Sequence, residues 1–145
     1  MLSFFMNVVI DANIWISALI SKDGQSRDII RLAFNDKISP QISTSLFLEY
    51  ETVMNRTKIQ NLCSLTPEEQ NDLFQAFLST CKWNEIFYLW RPNLADKNDD
   101  FLIELAVASN SKVIITDNKK DIGSGELKFN FEVLTPKEFL ERNTQ

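Results

Sequence analysis

Short apolar runs alternate along the chain with longer stretches in which apolar residues recur every three or four positions. The short runs predict β-strands and the longer stretches predict amphipathic helices, because the two periods match the geometries of strand and helix. Strands are predicted at 7–10, 38–42, 113–116 and 129–133. Helices are predicted at about 14–19, 26–34, 43–56, 66–81 and 99–110, with a last one from 135. Strands alternating with helices predict an α/β fold, a three-layer α/β/α sandwich around a central, mainly parallel sheet.

Local signals refine these boundaries. Thr66 and Thr135 each precede a proline and lie three residues before a glutamate, so both predict capping boxes that begin helices. Pro40 interrupts the strand at 38–42 and is therefore expected at the start of that strand or at the edge of the sheet. The aromatic-rich stretch 85–90 fits a loop or a short strand equally well, and both alternatives stay open.

The length and the opening residues bear on organisation and location. A chain of 145 residues fits one domain, here 1–145, and its 44% hydrophobic and 24% charged residues are typical of globular proteins. Met6 directly precedes the first predicted strand, so residues 1–5 are a candidate N-terminal extension. The opening apolar run reaches Asp11 within ten residues and lacks a basic leader, so we expect a cytoplasmic protein with no membrane partner.

Composition narrows the possible chemistry. The absence of histidine excludes Ser-His-Asp and Cys-His catalysis and every imidazole metal site. A net charge of -5 argues against extensive wrapping of nucleic acid, although bound divalent cations would allow a short contact. Cys63 and Cys81 form no CxxC pair, so we expect reduced thiols. Catalysis would have to use carboxylates, amides, hydroxyls or the side chains of lysine and arginine.

Acidic residues follow two of the predicted strands. Asp11 comes directly after the first strand and Asp117 after the strand at 113–116, so a parallel sheet places both at one edge. Asp99 begins the helix that leads into the second of these strands, and Glu49 lies in the helix after 38–42. Clustered carboxylates repel one another unless a cation neutralises them, and an oxygen-only ligand set favours Mg²⁺ or Mn²⁺.

Each acid also has a purely structural explanation. Asp11 could cap the helix that follows it, and Asp99 could stabilise only a helix dipole. Glu49 and Glu51 lie at opposite borders of the apolar stripe of their helix, so the helical period does not choose between them. Three polar residues after the strand at 113–116 could be turn residues: Asp117, Asn118 and Asp121.

Three stretches taken together resemble the PIN-domain family, specifically the toxin components of type II toxin–antitoxin systems similar to VapC ribonucleases. The stretches are VVIDANIWISALI, ISTSLFLEYETVMNR and DKNDDFLIELAVASNSKVIITDNKKDI. The resemblance covers residues 6 to 142, and the order and spacing of the stretches agree with the family. It implies a PIN-like fold for the whole chain.

The resemblance also assigns site residues. The first acid of the family falls on Asp11, its helical glutamate on Glu49 rather than Glu51, and its third acid on Asp99. The fourth position falls on Asn118, between two acids. The implied catalytic residues are Asp11, Glu49, Asp99 and Asp117. The implied metal ligands are Asp11, Asp99, Asp117 and Asn118. The implied supporting residues are Asn13, Ser43, Asp96, Thr116 and Asp121.

The activity implied by the resemblance is metal-dependent hydrolysis of RNA phosphodiester bonds by an endoribonuclease, with Mg²⁺ or Mn²⁺ as cofactor. The implied partners are an RNA substrate, a cognate antitoxin and a second copy of the chain in a homodimer. Asn118 adds no negative charge at a position where an acid is common, so the alternative is a catalytically weak or inactive PIN-like module that binds RNA or protein. A signalling receiver is disfavoured because Ala12 and Asn13, not acids, follow Asp11.

Overall fold

The computed structural model of the protein describes residues 6–86, 100–119 and 131–143. Within them, five strands form one sheet in the order β3-β2-β1-β4-β5, and every neighbouring pair is parallel. The strands are β1 Met6–Ile10, β2 Ile38–Ile42, β3 Lys82–Trp83, β4 Val113–Ile115 and β5 Glu132–Leu134.

Seven helices connect and cover the sheet in the described part of the chain. They are α1 Ala12–Ile20, α2 Gln25–Phe34, α3 Thr44–Met54, α4 Thr57–Leu62, α5 Pro67–Thr80, α6 Asp100–Ala108 and α7 Pro136–Asn143. The central strands β1 and β4 have no exposed residue, as expected for parallel strands with helices on both faces. The predicted α/β/α sandwich with a parallel sheet is confirmed.

Both predicted capping boxes are present. The Thr66 hydroxyl accepts a hydrogen bond from the Glu69 backbone N–H, and a Glu69 carboxylate oxygen accepts one from the Thr66 N–H, at 3.1 and 2.9 Å. Thr135 and Glu138 form the same pair of bonds at 3.2 and 2.9 Å. The second box fixes α7 directly after β5, at the carboxyl end of the sheet.

Pro40 was predicted at the start of its strand or at the edge of the sheet, and the first of these alternatives is wrong. Pro40 is the third of five residues in β2, and it pairs with Val8 of β1. The other neighbour, β3, pairs only with Gln41 and Ile42 within the described residues. The β3 side of the strand is therefore unpaired at Pro40, and this local edge tolerates a residue that lacks a backbone N–H.

Two short elements had no detectable pattern in the sequence. The strand β3 has two residues, and α4 is a six-residue helix that begins just after the predicted helix at 43–56, in a stretch for which no element was predicted. Neither element spans enough residues to show a period. Residues 85 and 86 belong to neither a helix nor a strand, and the rest of the ambiguous stretch 85–90 lies outside the described residues.

Candidate active site

A polar residue follows each of the five strands. Because the strands are parallel, all five polar residues lie along the carboxyl edge of the sheet, where open α/β sheets bind their ligands. The observed registers pair Ile10 with Ile115, and Ile115 with Leu134, so the residues after these strand ends are also neighbours. The five residues, in sheet order, are Asn84, Ser43, Asp11, Thr116 and Thr135.

Asp11 lies at the centre of this row, between β1 and the start of α1. Its backbone N–H donates to the carbonyl of Ile115 at 2.9 Å, which extends the β1–β4 pairing by one residue. It occupies the N-cap position of α1, yet its side chain makes no capping hydrogen bond among the described residues. The carboxylate is only 9% exposed. Asp11 therefore lacks the side-chain bond to a later backbone N–H by which a typical N-cap residue begins a helix.

Thr116 holds the Asp11 carboxylate in place. Its hydroxyl donates to Asp11 Oδ2 at 2.6 Å, and its own backbone N–H donates to the carbonyl of Leu134 at 2.9 Å. The same hydroxyl oxygen accepts a hydrogen bond from the Asn118 backbone N–H at 3.0 Å. A chain of contacts therefore runs from β5 through Thr116 to Asp11 and the residues after β4.

Tyr50 supports the site from α3, where the helical period predicted only a position in the apolar stripe of that helix. Its hydroxyl donates to the carbonyl of Ile10, the residue before Asp11. The side chain is 1% exposed, and a buried phenol needs a partner for its hydroxyl. A tyrosine on the apolar face of a helix was the available signal, but the sequence did not identify the partner.

The electrostatic environment of Asp11 matches a site for a cation. Burial raises the pKa of the Asp11 carboxyl, and the negative charges of Glu49 and Asp117 raise it further. Hydrogen bonds from the Thr116 hydroxyl and the Ala12 backbone N–H partly offset this rise. Glu49 and Asp117 therefore lie close enough to act on Asp11, and a bound cation would relieve the repulsion among the three.

The structure places the two helical glutamates differently. Glu49 is half-buried on α3, and its negative charge acts on Asp11. Glu51 is exposed and lines a separate cleft of about 100 Å³ with Pro67 and Gln70. This placement gives Glu49, and not Glu51, access to the acids at the sheet edge.

The remaining predicted residues occupy varied positions. Asp117 and Asn118 are exposed, and Asp117 lines a cleft of about 290 Å³ together with Thr135.

Ser43 is buried, and its hydroxyl accepts a hydrogen bond from the Leu46 N–H at 3.2 Å, so it caps α3. The buried Oδ1 atom of Asn13 accepts no hydrogen bond from the described residues. Three predicted residues lie outside the described part: Asp96, Asp99 and Asp121.

The donor chemistry fits a hard divalent cation. Asp11, Glu49, Asp117 and Asn118 offer oxygen atoms only, and the buried Asn13 Oδ1 is a further oxygen without a hydrogen-bond donor in the described part of the chain. Among residues 6–86, 100–119 and 131–143, no three Asp, Glu, His or Cys side chains come together as a metal-binding group. The predicted ligand Asp99 lies outside these ranges.

The chain is a parallel α/β/α sandwich with a buried aspartate and further acids at the carboxyl edge of its sheet, which defines a class of α/β protein. Residues 7–120 match the model of the PIN domain family, and the chain belongs to this family. The resemblance found in the sequence is therefore confirmed. PIN domains are generally nucleases and typically use divalent metals.

Two known proteins are similar over nearly the whole chain. The uncharacterized protein MJ1680 of Methanocaldococcus jannaschii is 30% identical over 149 residues, which cover 94% of this chain and 90% of that protein. A chain in the crystal structure of VapBC2 from Rickettsia felis, bound to a DNA fragment from their promoter, superposes with a TM-score of 0.56 at 18% identity. That match covers 90% of this chain and 98% of the other. The second similarity shows the shared fold.

No helix within the described ranges has the length and apolar character needed to cross a membrane.

Proposed function

We propose that the protein is an endoribonuclease that hydrolyses RNA phosphodiester bonds with Mg²⁺ or Mn²⁺. The observation that carries the proposal is the buried Asp11 carboxylate, held by Thr116 and raised in pKa by burial and by the charges of Glu49 and Asp117. Among the described residues the Asp11 side chain makes no N-cap hydrogen bond, although the Ala12 backbone N–H interacts with its carboxyl group. A bound divalent cation would give these carboxylates a function and would offset the repulsion among them.

The residues of the chain divide the work in this mechanism. Asp11, Asp99, Asp117 and Asn118 would hold the ion, which supplies Lewis-acid stabilisation of phosphate charge and activation of water. Thr116 donates to Asp11 Oδ2 and so fixes the orientation of the carboxylate that would bind the cation. Glu49, half-buried and beside Asp11, would accept the proton of the attacking water.

The proposal is tested by cleavage of a labelled single-stranded RNA in Mg²⁺, in Mn²⁺ and in EDTA. Glu49→Gln should lower the cleavage rate by about 100-fold or more, the usual effect of removing one positioned acid–base group. Glu51→Gln is the matched control, because Glu51 is an exposed acid two positions away on the same helix, and it should cleave at the wild-type rate. Equal loss in both variants, or metal-independent cleavage, would contradict the proposed site.

A second matched pair tests Asp11 itself. Asp11→Asn preserves the size of the side chain, and Asp72→Asn makes the same change at an exposed position of α5. The first variant should lose cleavage by about 100-fold or more, whereas the second should retain it.

The alternative, a catalytically weak or inactive module that binds RNA or protein, is favoured by one feature. Asn118 is an exposed amide beside Thr116, and it contributes no negative charge to the predicted metal site. Calorimetric titration of the protein with Mn²⁺ separates the two functions. Metal binding that depends on Asp11 supports the nuclease, whereas RNA affinity with no metal binding and no cleavage supports the module.

The biological setting of the proposal is a type II toxin–antitoxin pair, in which 1–145 acts as one PIN-like domain in the cytoplasm. The shared fold with a chain of the VapBC2 crystal structure supports this setting. The protein should form a homodimer and bind a small antitoxin encoded nearby. Co-expression with the neighbouring reading frame, followed by size measurement and an RNA cleavage assay, tests both partners. An antitoxin should co-purify and suppress cleavage.

A further inference from the structure

The largest of three prominent clefts in the described structure lies beside the candidate active site and contains an exposed tryptophan. Its volume is about 580 Å³, within the range of sites that bind small organic groups. It opens at the carboxyl ends of β2 and β3 and at the start of α3, with Trp83 on its wall. Trp83 is 52% exposed, whereas tryptophan side chains are highly buried on average.

The Trp83 ring is held in place by other rings. Phe47 of α3 contacts it at a centroid distance of 5.6 Å and an interplanar angle of 48°. Phe47 stacks on Phe74 at 5.9 Å and 13°, and Phe74 contacts the fully buried Trp15 of α1 at 5.4 Å. One side of the Trp83 ring is therefore anchored to the core through a row of aromatic contacts. The exposed remainder is available for stacking at low entropic cost.

The sheet places this ring at a defined separation from Asp11. Trp83 pairs with Ile42 of β2, and continuing the β1–β2 register places Ile42 beside Ile10, the residue before Asp11. Two strand spacings of about 4.8 Å separate the backbones of Trp83 and Ile10, so they lie roughly 10 Å apart. Nucleotides along one strand of a B-form duplex are spaced about 3.4 Å apart, so this backbone separation corresponds to roughly three nucleotides. A strand of RNA at Asp11 would therefore reach the cleft with a neighbouring base.

The lining of the cleft suits a base rather than a phosphate. Thr44 and Ser45 are exposed hydroxyl residues, and Asn84 adds an amide whose nitrogen already donates to Gln41 Oε1 and to the Lys82 carbonyl. The charged residue in the described lining is Glu85, whose carboxylate would repel phosphate. An aromatic face beside uncharged donors and acceptors is the arrangement that binds unpaired bases, by stacking and by hydrogen bonds to base edges.

We propose that the Trp83 cleft is a subsite for an unpaired nucleobase of single-stranded RNA, a few nucleotides from the bond that is cut. The inference rests on the proposed function, because it takes the acids at Asp11 as the place of cleavage. It makes Trp83 a determinant of substrate choice, since a base held in a double helix cannot stack on the ring.

Tryptophan fluorescence can report on Trp83 once Trp90 is replaced. The variant Trp90→Phe leaves Trp83 and the fully buried Trp15 as the emitting residues. With Glu49→Gln added to prevent cleavage, a mixed-sequence single-stranded RNA in Mg²⁺ should quench the emission. A blunt RNA duplex at the same concentration should quench it much less. No quenching by the single strand would overturn the inference.

Affinity measured by anisotropy of the labelled RNA supplies the second test. Trp83→Ala should weaken binding by about 5- to 100-fold, the range that corresponds to one base–aromatic stack. Trp83→Phe should restore most of the affinity because it keeps an aromatic face. Leu48→Ala is the matched control, since Leu48 is a 51% exposed apolar residue on α3, and it should bind as the wild type does. Wild-type affinity in Trp83→Ala would overturn the inference.

The outcomes also separate this inference from the proposed function. Trp83→Ala should raise KM and leave kcat at saturating RNA nearly unchanged, whereas Asp11→Asn should abolish cleavage and keep the quenching. If RNA quenches the emission of Asp11→Asn and this variant still cleaves at the full rate, the catalytic site is refuted and the base subsite is not. A shift in Trp83 emission that depends on protein concentration and not on RNA would show that a second copy of the chain covers the ring. That result would refute the base subsite and leave the catalytic site untouched.

Discussion

The hydroxyl of Thr116 donates a 2.6 Å hydrogen bond to Asp11 Oδ2 across 105 residues of sequence. The bond exists because β1 and β4 are neighbours and pair Ile10 with Ile115, so the residues that follow the two strands lie side by side. It occupies one carboxylate oxygen and opposes the effect of burial on the pKa of Asp11. The orientation of the central acid is therefore set by the register of the sheet.

Replacing Thr116 with valine should raise the pKa of Asp11 further, because the hydrogen bond that lowers it is lost. The acid limb of the pH–rate profile for RNA cleavage should then shift to higher pH. The free energy of unfolding should fall by about 1–3 kcal/mol, since the Asn118 N–H also loses its acceptor. Thr57→Val, at an exposed position of α4, is the control for both measurements. An unchanged pH–rate profile would argue against this role of Thr116.

Asp11→Asn should not destabilise the metal-free protein at neutral pH. The folded-state pKa of Asp11 is raised above its ordinary value of 3.8, so the ionised carboxylate weakens folding at pH values above the raised pKa. The gain in free energy of unfolding of Asp11→Asn over the wild type should therefore shrink as the pH falls through the raised pKa towards 3.8. Thermal unfolding of both proteins between pH 3 and 8 measures this difference. A variant markedly less stable at pH 7 would indicate a structural role for the charge.

Metal addition completes that experiment. Mg²⁺ or Mn²⁺ should raise the Tm of the wild type, because a ligand that binds the folded state stabilises it. The same additions should raise the Tm of Asp11→Asn far less. Equal shifts in the two proteins would place the bound ion elsewhere.

Tyr50→Phe removes the hydroxyl that binds the carbonyl of Ile10 and leaves that buried acceptor with one partner fewer. We expect a loss of about 1–2 kcal/mol in the free energy of unfolding, measured with urea at an unchanged m-value. Cleavage should also slow, because Ile10 positions the backbone of Asp11. A variant with wild-type stability would show that the hydrogen bond contributes nothing to folding.

Cys81 should be chemically inert in the native protein. Both cysteines are free, and burial raises the pKa of the Cys81 thiol to about 12. Relative to the ordinary value of 9.0, the reactive thiolate at pH 8 is roughly 1000-fold scarcer. In a Cys63→Ser variant, iodoacetamide should label Cys81 about 100- to 1000-fold more slowly in buffer than in denaturing urea. Equal rates would contradict the burial of this thiol.

The main elements and their order were predictable from the chain alone. The strands at 7–10, 38–42 and 113–116 and the capping boxes at Thr66 and Thr135 are all observed, because each has a strong local cause. The strand β3 was not predictable, since two residues carry no period. Because β3 was not predicted, neither the exposure of Trp83 nor the cleft beside it could be predicted.

The candidate site was predictable in part. Parallel strands imply that residues after different strands share one edge, so Asp11 and Asp117 could be assigned to one region from strand positions. The order of strands in the sheet was not predictable, and it decides which of these residues are neighbours. Tyr50 shows the same limit, because the helical period placed it in the core while its partner, Ile10, lies 40 residues away.

The sequence by itself determined the alternation of strands and helices, the exclusion of histidine chemistry, and the resemblance to the PIN-domain family, because these depend on local order and on residue types. The tertiary structure decided which side chains meet: Thr116 with Asp11, Tyr50 with Ile10, and Trp83 with Phe47. The physical reason is that hydrogen bonds, burial and electrostatic repulsion act over a few ångströms in space. Distance along the chain gives no measure of that separation until strand order and register are known.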